Sequence, residues 1–341
     1  MSLSDFDFSL INGRSVQRIL DTSRSDVMDV VAQAYLIHHG NLTVNPSSYF
    51  LRFPDKPEAR IIALPAAIRG KQPFSGIKWI ASYPGNIAHD MPRASAVLIL
   101  NNYETGYPYT CMEASLISAA RTAASAALAA RMLSQEVRRC SRVAFIGTGI
   151  IARNILDYLM TDEWHFDSIV VHDLISGYGH AFITYAQEQY SLPGALAETA
   201  LQAIEGSELV VLATTASEPH LLSTDTFKPK QIVLNISLRD LSPEIILNSW
   251  NIVDDIDHCL KADTSPHLAE KMVNHRNFIQ GTLAQCMLKE IEPDADKPII
   301  FSPFGLGVLD LAVGEMVHSH AAATGELIHI DDFFAERSRW T

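Results

Sequence analysis

Arg142-Val-Ala-Phe-Ile-Gly147-Thr148-Gly149-Ile150-Ile151-Ala152 is the stretch that decides the fold of this chain. Four apolar residues, Val143 to Ile146, run directly into a Gly-x-Gly-x-x-Ala turn, and apolar residues at helical spacing follow from Ile150 to Leu159. The order is strand, tight turn, helix. Gly147 permits the turn, Gly149 removes the side chain that would keep a pyrophosphate from the backbone, and small Ala152 lets helix and strand pack closely. The first helical turn offers unpaired N–H groups to the anion. Such a turn is common by itself, so partners are required. They are present: Ser168-Ile-Val-Val-His172 reads as the next strand and ends in Asp173, 26 residues after Gly147. An acid there accepts hydrogen bonds from both adenosine ribose hydroxyls and repels a 2′-phosphate. No Arg occurs in Leu174-Ile-Ser-Gly177, so the cofactor expected is NAD rather than NADP.

The 341 residues suffice for two domains, and 48% hydrophobic against 19% charged residues can bury real cores. A net charge of −13 argues against sequence-independent binding to nucleic acid. Cys111, Cys140, Cys259 and Cys286 are far apart and form no CxxC pair, so neither a zinc site nor a disulfide framework is expected. No apolar run approaches the ~20 residues that cross a bilayer, and the N-terminus is acidic. A cytoplasmic protein without membrane contact is the expectation.

Two helical patterns occupy residues 15 to 39, with Ser25 as a candidate N-cap and Gly40 as a candidate C′ residue of the second. A β-rich region follows: Tyr49 to Phe53, Arg60 to Ala66, Gly76 to Ser82, Ala96 to Asn101 and Tyr107 to Met112. Asn102-Tyr-Glu-Thr-Gly106 reads as the hairpin loop joining the last two. Short connections leave little room for helices, so this sheet should be mainly antiparallel. Leu116 to Leu133 is Ala-rich without Gly or Pro and reads as a long helix linking two domains. Beyond the glycine turn, a helix near Ala181 to Tyr190 and strands at Leu209 to Ala213, Gln231 to Asn235 and Ile252-Val253 continue the nucleotide domain. The nucleotide domain is expected to have its strands by then. The tail, with a helix at Leu311 to Ala323, is therefore read as returning to the first domain. The fold class is α/β: a Rossmann domain over residues 121–300 inserted in a β-rich α+β substrate and dimerisation domain over 1–120 plus 301–341.

The whole chain resembles the ornithine cyclodeaminase and mu-crystallin family. The resemblance rests on Gly76-Ile-Lys78-Trp-Ile-Ala-Ser-Tyr-Pro84-Gly-Asn86, Glu104-Thr-Gly106-Tyr-Pro108, Ser118-Ala-Ala-Arg121-Thr-Ala-Ala124 and the glycine turn. Arg52-Phe-Pro, Arg60-Ile-Ile-Ala-Leu-Pro65, Arg93-Ala-Ser-Ala, Asn235-Ile-Ser-Leu-Arg239-Asp240-Leu and Phe301-Ser-Pro-Phe-Gly-Leu-Gly307-Val are similar to its diaminopropionate-forming branch. That branch includes a siderophore-pathway enzyme that oxidises N-(2-amino-2-carboxyethyl)-L-glutamate. The resemblance implies a homodimer paired through its β-rich domains, a substrate held between that domain and the nicotinamide, and a small amino-carboxylate as substrate. It further implies Lys78 and Arg121, with Arg52 as a third, as carboxylate-binding residues, and Asp240 as catalytic; Lys78 is expected to share the catalytic role, and Arg93 to add a fourth substrate-binding cation. The expected cofactor contacts are Gly147, Thr148, Gly149, Ile150, Ile151, Asp173, Thr214, Ser237 and Gly305. A cysteine-synthase-like, pyridoxal-phosphate enzyme would supply the conjugate. Cyclodeaminases carry Gly-Gly-Asp where this chain has Leu238-Arg239-Asp240, and Leu-Pro-Thr where it has Met91-Pro92-Arg93, which separates it from ornithine chemistry.

The residues themselves also ask for an anion. Arg52, Lys78, Arg93 and Arg121 lie beside apolar or small neighbours, where a lone buried cation is costly and needs a carboxylate from substrate or from the protein. Asp240 has a competing reading as the cap of a helix starting near Ser242-Pro243. His318 and His320, at i and i+2 of a helix, face apart and do not chelate, and no metal is expected. Ornithine cyclodeamination, reduction of an imine, ketimine or pyruvate, and non-catalytic ligand binding are the alternatives the chain leaves open.

Overall fold

The computed structural model describes residues 6–336. The chain divides into two compact units: residues up to Arg121 together with those from Leu306 onward, and Thr122–Gly305.

The first unit opens with β1 (Ser9–Ile11), α1 (Gly13–Thr22) and α2 (Arg24–His39). Helix α2 starts one residue before the expected cap, Ser25; Ser23 occupies the N-cap position and its side chain makes no capping bond. Gly40 closes the helix at φ −71°, so it is not the left-handed residue expected there. Next come β2 (Thr43–Val44), β3 (Tyr49–Phe53), β4 (Lys56–Ile68), β5 (Phe74–Ser82), β6 (Ala94–Asn102) and β7 (Pro108–Glu113). Strands β4 to β7 form an antiparallel meander, while β1 joins β7 in parallel. The hairpin loop closes on Asn102, whose side chain accepts the N–H groups of Glu104 and Thr105 at 2.9 and 3.0 Å. Register and the two-residue period place Lys78 on one face with its partners Leu64 and Leu98. Trp79 lies on the other with Ala63 and Val97, and β3 adds Tyr49 opposite Ala63. Helix α3 (Ser115–Leu133) follows, its first amides held by the Glu113 carboxylate at 2.7 and 3.2 Å. The division between units falls within this helix.

The second unit contains β8 (Arg139–Ile146), α4 (Ile150–Thr161), β9 (His165–His172), α5 (Ser176–Tyr190), β10 (Gly194–Leu196), α6 (Ala200–Ile204) and β11 (Leu209–Leu212). It continues with β12 (Ile232–Asn235), α7 (Pro243–Leu247), β13 (Trp250–Val253), α8 (Ile256–Cys259), α9 (Ser265–Val273), β14 (Ile279–Thr282), α10 (Leu283–Met287) and β15 (Ile299–Ser302). Among the described residues the sheet has eight strands in the order β10-β9-β8-β11-β12-β15-β13-β14, all parallel. Strands β11, β12, β13 and β15 are buried at every position, as a sheet covered on both faces requires. One expectation needs correction. The strands to residue 253 do not complete the sheet, because β15 inserts between β12 and β13, and β14 adds an edge. A four-residue apolar run such as Ile299–Ser302 carries no sign of which sheet will take it. From β8 the chain winds outward through β9 and β10, then returns to β11 on the other side of β8. Ligands of open parallel sheets bind at the carboxyl ends of strands beside such a reversal.

The chain then re-enters the first unit as α11 (Gly307–Thr324) and β16 (Ile328–His329), which pairs with β1. Helix α11 packs on α2 and on β4, β5 and β6. Gly314 allows the approach: a Cβ there would stand 2.9 Å from Leu98 Cδ2. Leu98 and Leu100 are thereby sealed from water, each burial contributing about 1.5–3 kcal/mol. The opposite face of the sheet is left open, with Tyr49 71%, Trp79 42% and Val97 41% exposed. Among the described residues no helix is long and apolar enough to cross a membrane.

Candidate active site

On the covered face of the first unit, Lys78 of β5 is fully buried. Its Nζ donates to Asp310 Oδ2 at 2.7 Å and to Ser118 Oγ at 3.0 Å. Arg121 Nε donates to the other carboxylate oxygen of Asp310 at 3.1 Å. Asp310 lies in the first turn of α11, where the helix dipole favours an anion. Burial pushes the Lys78 ammonium down to about 8, Asp310 opposes the shift, and the Arg121 charge adds to it. The buried cations thus have the carboxylate they require, supplied by the protein. With two cations and one anion, the cluster keeps an excess of positive charge. Sequence reading overlooked Asp310, although an acid one turn into an otherwise apolar helix is itself a signal of a buried partner.

Arg52 and Arg93 are not drawn into this cluster. Arg52 is exposed on β3 with its guanidinium 5.2 Å from the Phe50 ring centre. Its register partner Arg60 pairs with Ser82, so Arg52 shares the Lys78 face, four residues further along the ladder, or ~13 Å by strand rise. Arg93 precedes β6 and is half-buried, which lowers its pKa by desolvation. Among the described residues neither Arg52 nor Arg93 meets a carboxylate.

In the second unit, Gly147 stands at φ +81° after β8, and a Cβ on it would lie 2.7 Å from the Ala213 carbonyl beyond β11. Only glycine fits. Gly149 is the N-cap of α4 without a side-chain cap, and the space its Cβ would enter is empty. Ile150 and Ile151 open the helix, leaving their N–H groups uncapped by any side chain. This is a cradle a pyrophosphate fits. Asp173, directly after β9, accepts from Thr148 N and Oγ1 on Oδ2, both at 2.8 Å, and from Ile175 N on Oδ1 at 2.9 Å. Three of about four acceptor directions are used. The Thr148 hydroxyl is a rotor that can give way to a ribose hydroxyl, so these residues fit an adenosine diol. Gly305 follows β15 at φ +95°, its N–H committed to Asp254 Oδ2 at 2.6 Å, with Phe304 N on Oδ1 at 3.0 Å. Burial raises the Asp254 pKa, and these amides oppose the rise.

After β12, Asp240 is wholly buried. Thr214 Oγ1 donates to its Oδ1 at 2.6 Å. It caps nothing: Ser242 is the N-cap of α7 and accepts from Ile245 N. Asn235 Oδ1, Ser237 Oγ and Asp240 Oδ2 are buried without a hydrogen-bond partner among the described residues. Buried polar atoms are normally paired, so three orphans within six residues mark a place prepared for another group. The turn is also strained, with Leu238 at φ +73°, a conformation costing roughly 1–3 kcal/mol in a branched residue. Three contacts hold it: Ser265 N donates to Leu238 O at 2.7 Å, and Arg239 donates to the carbonyls of Ala262 and Asp263 at 2.5 and 3.1 Å. Arg239 is thereby structural. Among the described residues no His, Cys, Asp or Glu group is arranged to hold a metal.

N-((2S)-2-amino-2-carboxyethyl)-L-glutamate dehydrogenase of Staphylococcus aureus is 30% identical over 86% of this chain and 89% of its own. Among solved structures, the Δ1-pyrroline-2-carboxylate reductase of Thermococcus litoralis with NADH and L-proline superposes with TM-score 0.86 at 20% identity, covering 95% of this chain and all of that one. An archaeal alanine dehydrogenase dimer with bound NAD superposes with TM-score 0.84 at 22% identity, covering 96% of this chain and all of the other. The model of the ornithine cyclodeaminase/mu-crystallin family matches residues 15–325, and this chain belongs to that family.

Proposed function

We propose that this protein is an NAD-dependent amino-acid dehydrogenase acting on a CH–NH bond, and that its substrate is N-(2-amino-2-carboxyethyl)-L-glutamate, cleaved to 2-oxoglutarate and 2,3-diaminopropionate. The observation that carries the catalytic reading is Asp240: a buried carboxylate, fixed by Thr214 on one oxygen and unbonded on the other, at the carboxyl end of a Rossmann strand. The substrate is inferred from the relationship to the Staphylococcus aureus enzyme and from the cations, since a three-carboxylate amine matches Lys78, Arg121, Arg52 and Arg93 better than ornithine does.

Gly147, Thr148, Gly149, Ile150, Ile151 and Asp173 would hold NAD, with Thr214, Ser237 and Gly305 toward its nicotinamide. When bound, NAD⁺ supplies the acceptor for the hydride leaving the glutamate Cα, which leaves an imine on the substrate. Lys78 and Arg121 bind and orient carboxylate. Asp240 takes the proton from the amine and gives it up to solvent; it then takes a proton from the water that adds to the imine and returns it to the nitrogen, and the adduct collapses to keto acid and diamine. The test is to mix protein, NAD⁺ and the amino-tricarboxylate and follow NADH absorbance with keto-acid formation. Proline and ammonia from ornithine, or NADH oxidation with pyruvate or a cyclic imine, without that NADH signal, would overturn the substrate assignment. Tight ligand binding without any turnover would overturn the catalytic one.

Protonation of Lys78 sets a further expectation. Carboxylate capture needs the ammonium, and this group sits at about 8 in the free protein. The kcat/KM for the amine should therefore decline as pH rises past about 8, approaching about tenfold per pH unit. In Lys78→Arg, which stays charged, that limb should disappear; an unchanged limb assigns it to another group.

A homodimer is part of this reading. Tyr49, Trp79 and Val97 present apolar surface on the open sheet face, which a second copy would cover. Trp79→Glu should weaken self-association at least about thirtyfold in sedimentation equilibrium. Unchanged dimerisation would exclude this face.

A further inference from the structure

Asp240 has no exposure of its own, yet a catalytic base must return its proton to bulk water after each turnover. Among the described residues, the ionisable group paired with its unbonded oxygen is His220, whose Nε2 stands 3.5 Å from Oδ2. This approach is built by the backbone. The N–H groups of His220 and Leu221 both donate to the Asp240 carbonyl, at 3.1 and 3.0 Å, and Ser242 N donates back to Leu221 O at 3.0 Å. A parallel bridge pairs Leu221 with Leu241, so the two short segments are clamped side by side. Thr214 occupies Oδ1, which leaves Oδ2 for the imidazole. The far side of the ring is open, the side chain being 39% exposed. Among the described residues no other charged group pairs with it.

We propose that His220 is the positioning and proton-transfer partner of Asp240, connecting a sealed carboxylate to solvent; its catalytic part rests on the reading of Asp240 as the base. Imidazole is suited to this because it accepts on one nitrogen and donates from the other near neutral pH. With the ring in its Nδ1–H tautomer, the Oδ2–H bond of protonated Asp240 breaks as Nε2–H forms. The Nδ1 proton then leaves to bulk water. Asp240 ends as carboxylate and the ring as the Nε2–H tautomer, which donates to Oδ2 and holds it oriented; before the next proton arrives, the exposed ring exchanges its Nε2 proton for one on Nδ1 through bulk water, with no net change in protons. One proton is released, and nothing is oxidised or reduced.

Two measurements on the full chain decide it. In ¹⁵N-histidine NMR spectra, His220 should show the Nε2–H tautomer, and Asp240→Asn should abolish that preference; identical tautomer populations in both proteins would overturn the proposal. In steady-state assays, His220→Ala should lower kcat on the order of tenfold, with the KM for NAD⁺ unchanged, and added imidazole should restore the rate. An unchanged kcat, or a loss that imidazole does not restore, would overturn it as well. If the wild-type protein does not turn over the amine, the substrate reading fails, and the NMR comparison still decides the Asp240 to His220 connection.

Discussion

Replacing Asp240 by Asn is expected to lower kcat for the amino-tricarboxylate by at least ~10²-fold while leaving the affinity for NAD⁺ and the melting temperature nearly unchanged. The substitution preserves shape, and the amide oxygen still accepts from Thr214 as Oδ1 does at 2.6 Å. What disappears is the group able to take a proton. A cap role would give the opposite pattern, with stability falling and kcat spared, but Ser242 already caps α7. Stopped-flow NADH formation, calorimetric titration with NAD⁺ and a thermal melt separate the outcomes. A variant with wild-type kcat would reduce Asp240 to a structural partner of Thr214, and the proposed chemistry would need another base.

Asp310→Ala is expected to carry the largest cost in stability. It removes the wholly buried carboxylate that Lys78 and Arg121 share. Removing one member of a buried ion pair typically costs about 3–5 kcal/mol, because the remaining charge stays desolvated. Lys78 can relieve part of this by shedding its proton, whereas Arg121 cannot. The sign of the pH dependence follows. In the wild type, folding lowers Lys78 from 10.5 to about 8, so between these values the unfolded chain binds more protons and stability rises with pH. Without Asp310, which holds the ammonium up, the lower end of that window moves down. Urea unfolding at pH 7 and at pH 9 should therefore show a smaller deficit for the variant at the higher pH. Asp310→Asn, which retains volume and one acceptor, should lose less. A deficit below about 1 kcal/mol in Asp310→Ala would mean that water reaches the cluster and that the cations do not depend on this partner.

Much of the architecture was legible in sequence because it rests on local patterns. The Gly147 turn, the apolar runs around it and the hairpin at Asn102 each reflect constraints that neighbouring residues impose, and the structure places them there. Strand β15 and the edge strand β14 were not legible. Short apolar segments have no partner written into them, and which sheet receives them depends on residues far away in the chain.

The candidate sites divide along the same line. By itself the sequence determined a dinucleotide turn with its acid at Asp173, an excess of cations beside apolar positions, and an Asp after β12, since residue type and spacing state these directly. Only the tertiary structure decided that Asp310 pairs with Lys78 and Arg121 across 232 and 189 residues, that Arg52 stands apart on the same face, and that His220 is clamped against Asp240. The physical reason is that burial and pairing are properties of the packed interior. A charge's cost and chemistry depend on what folding brings within a few ångströms of it, and no local pattern along the chain records that distance.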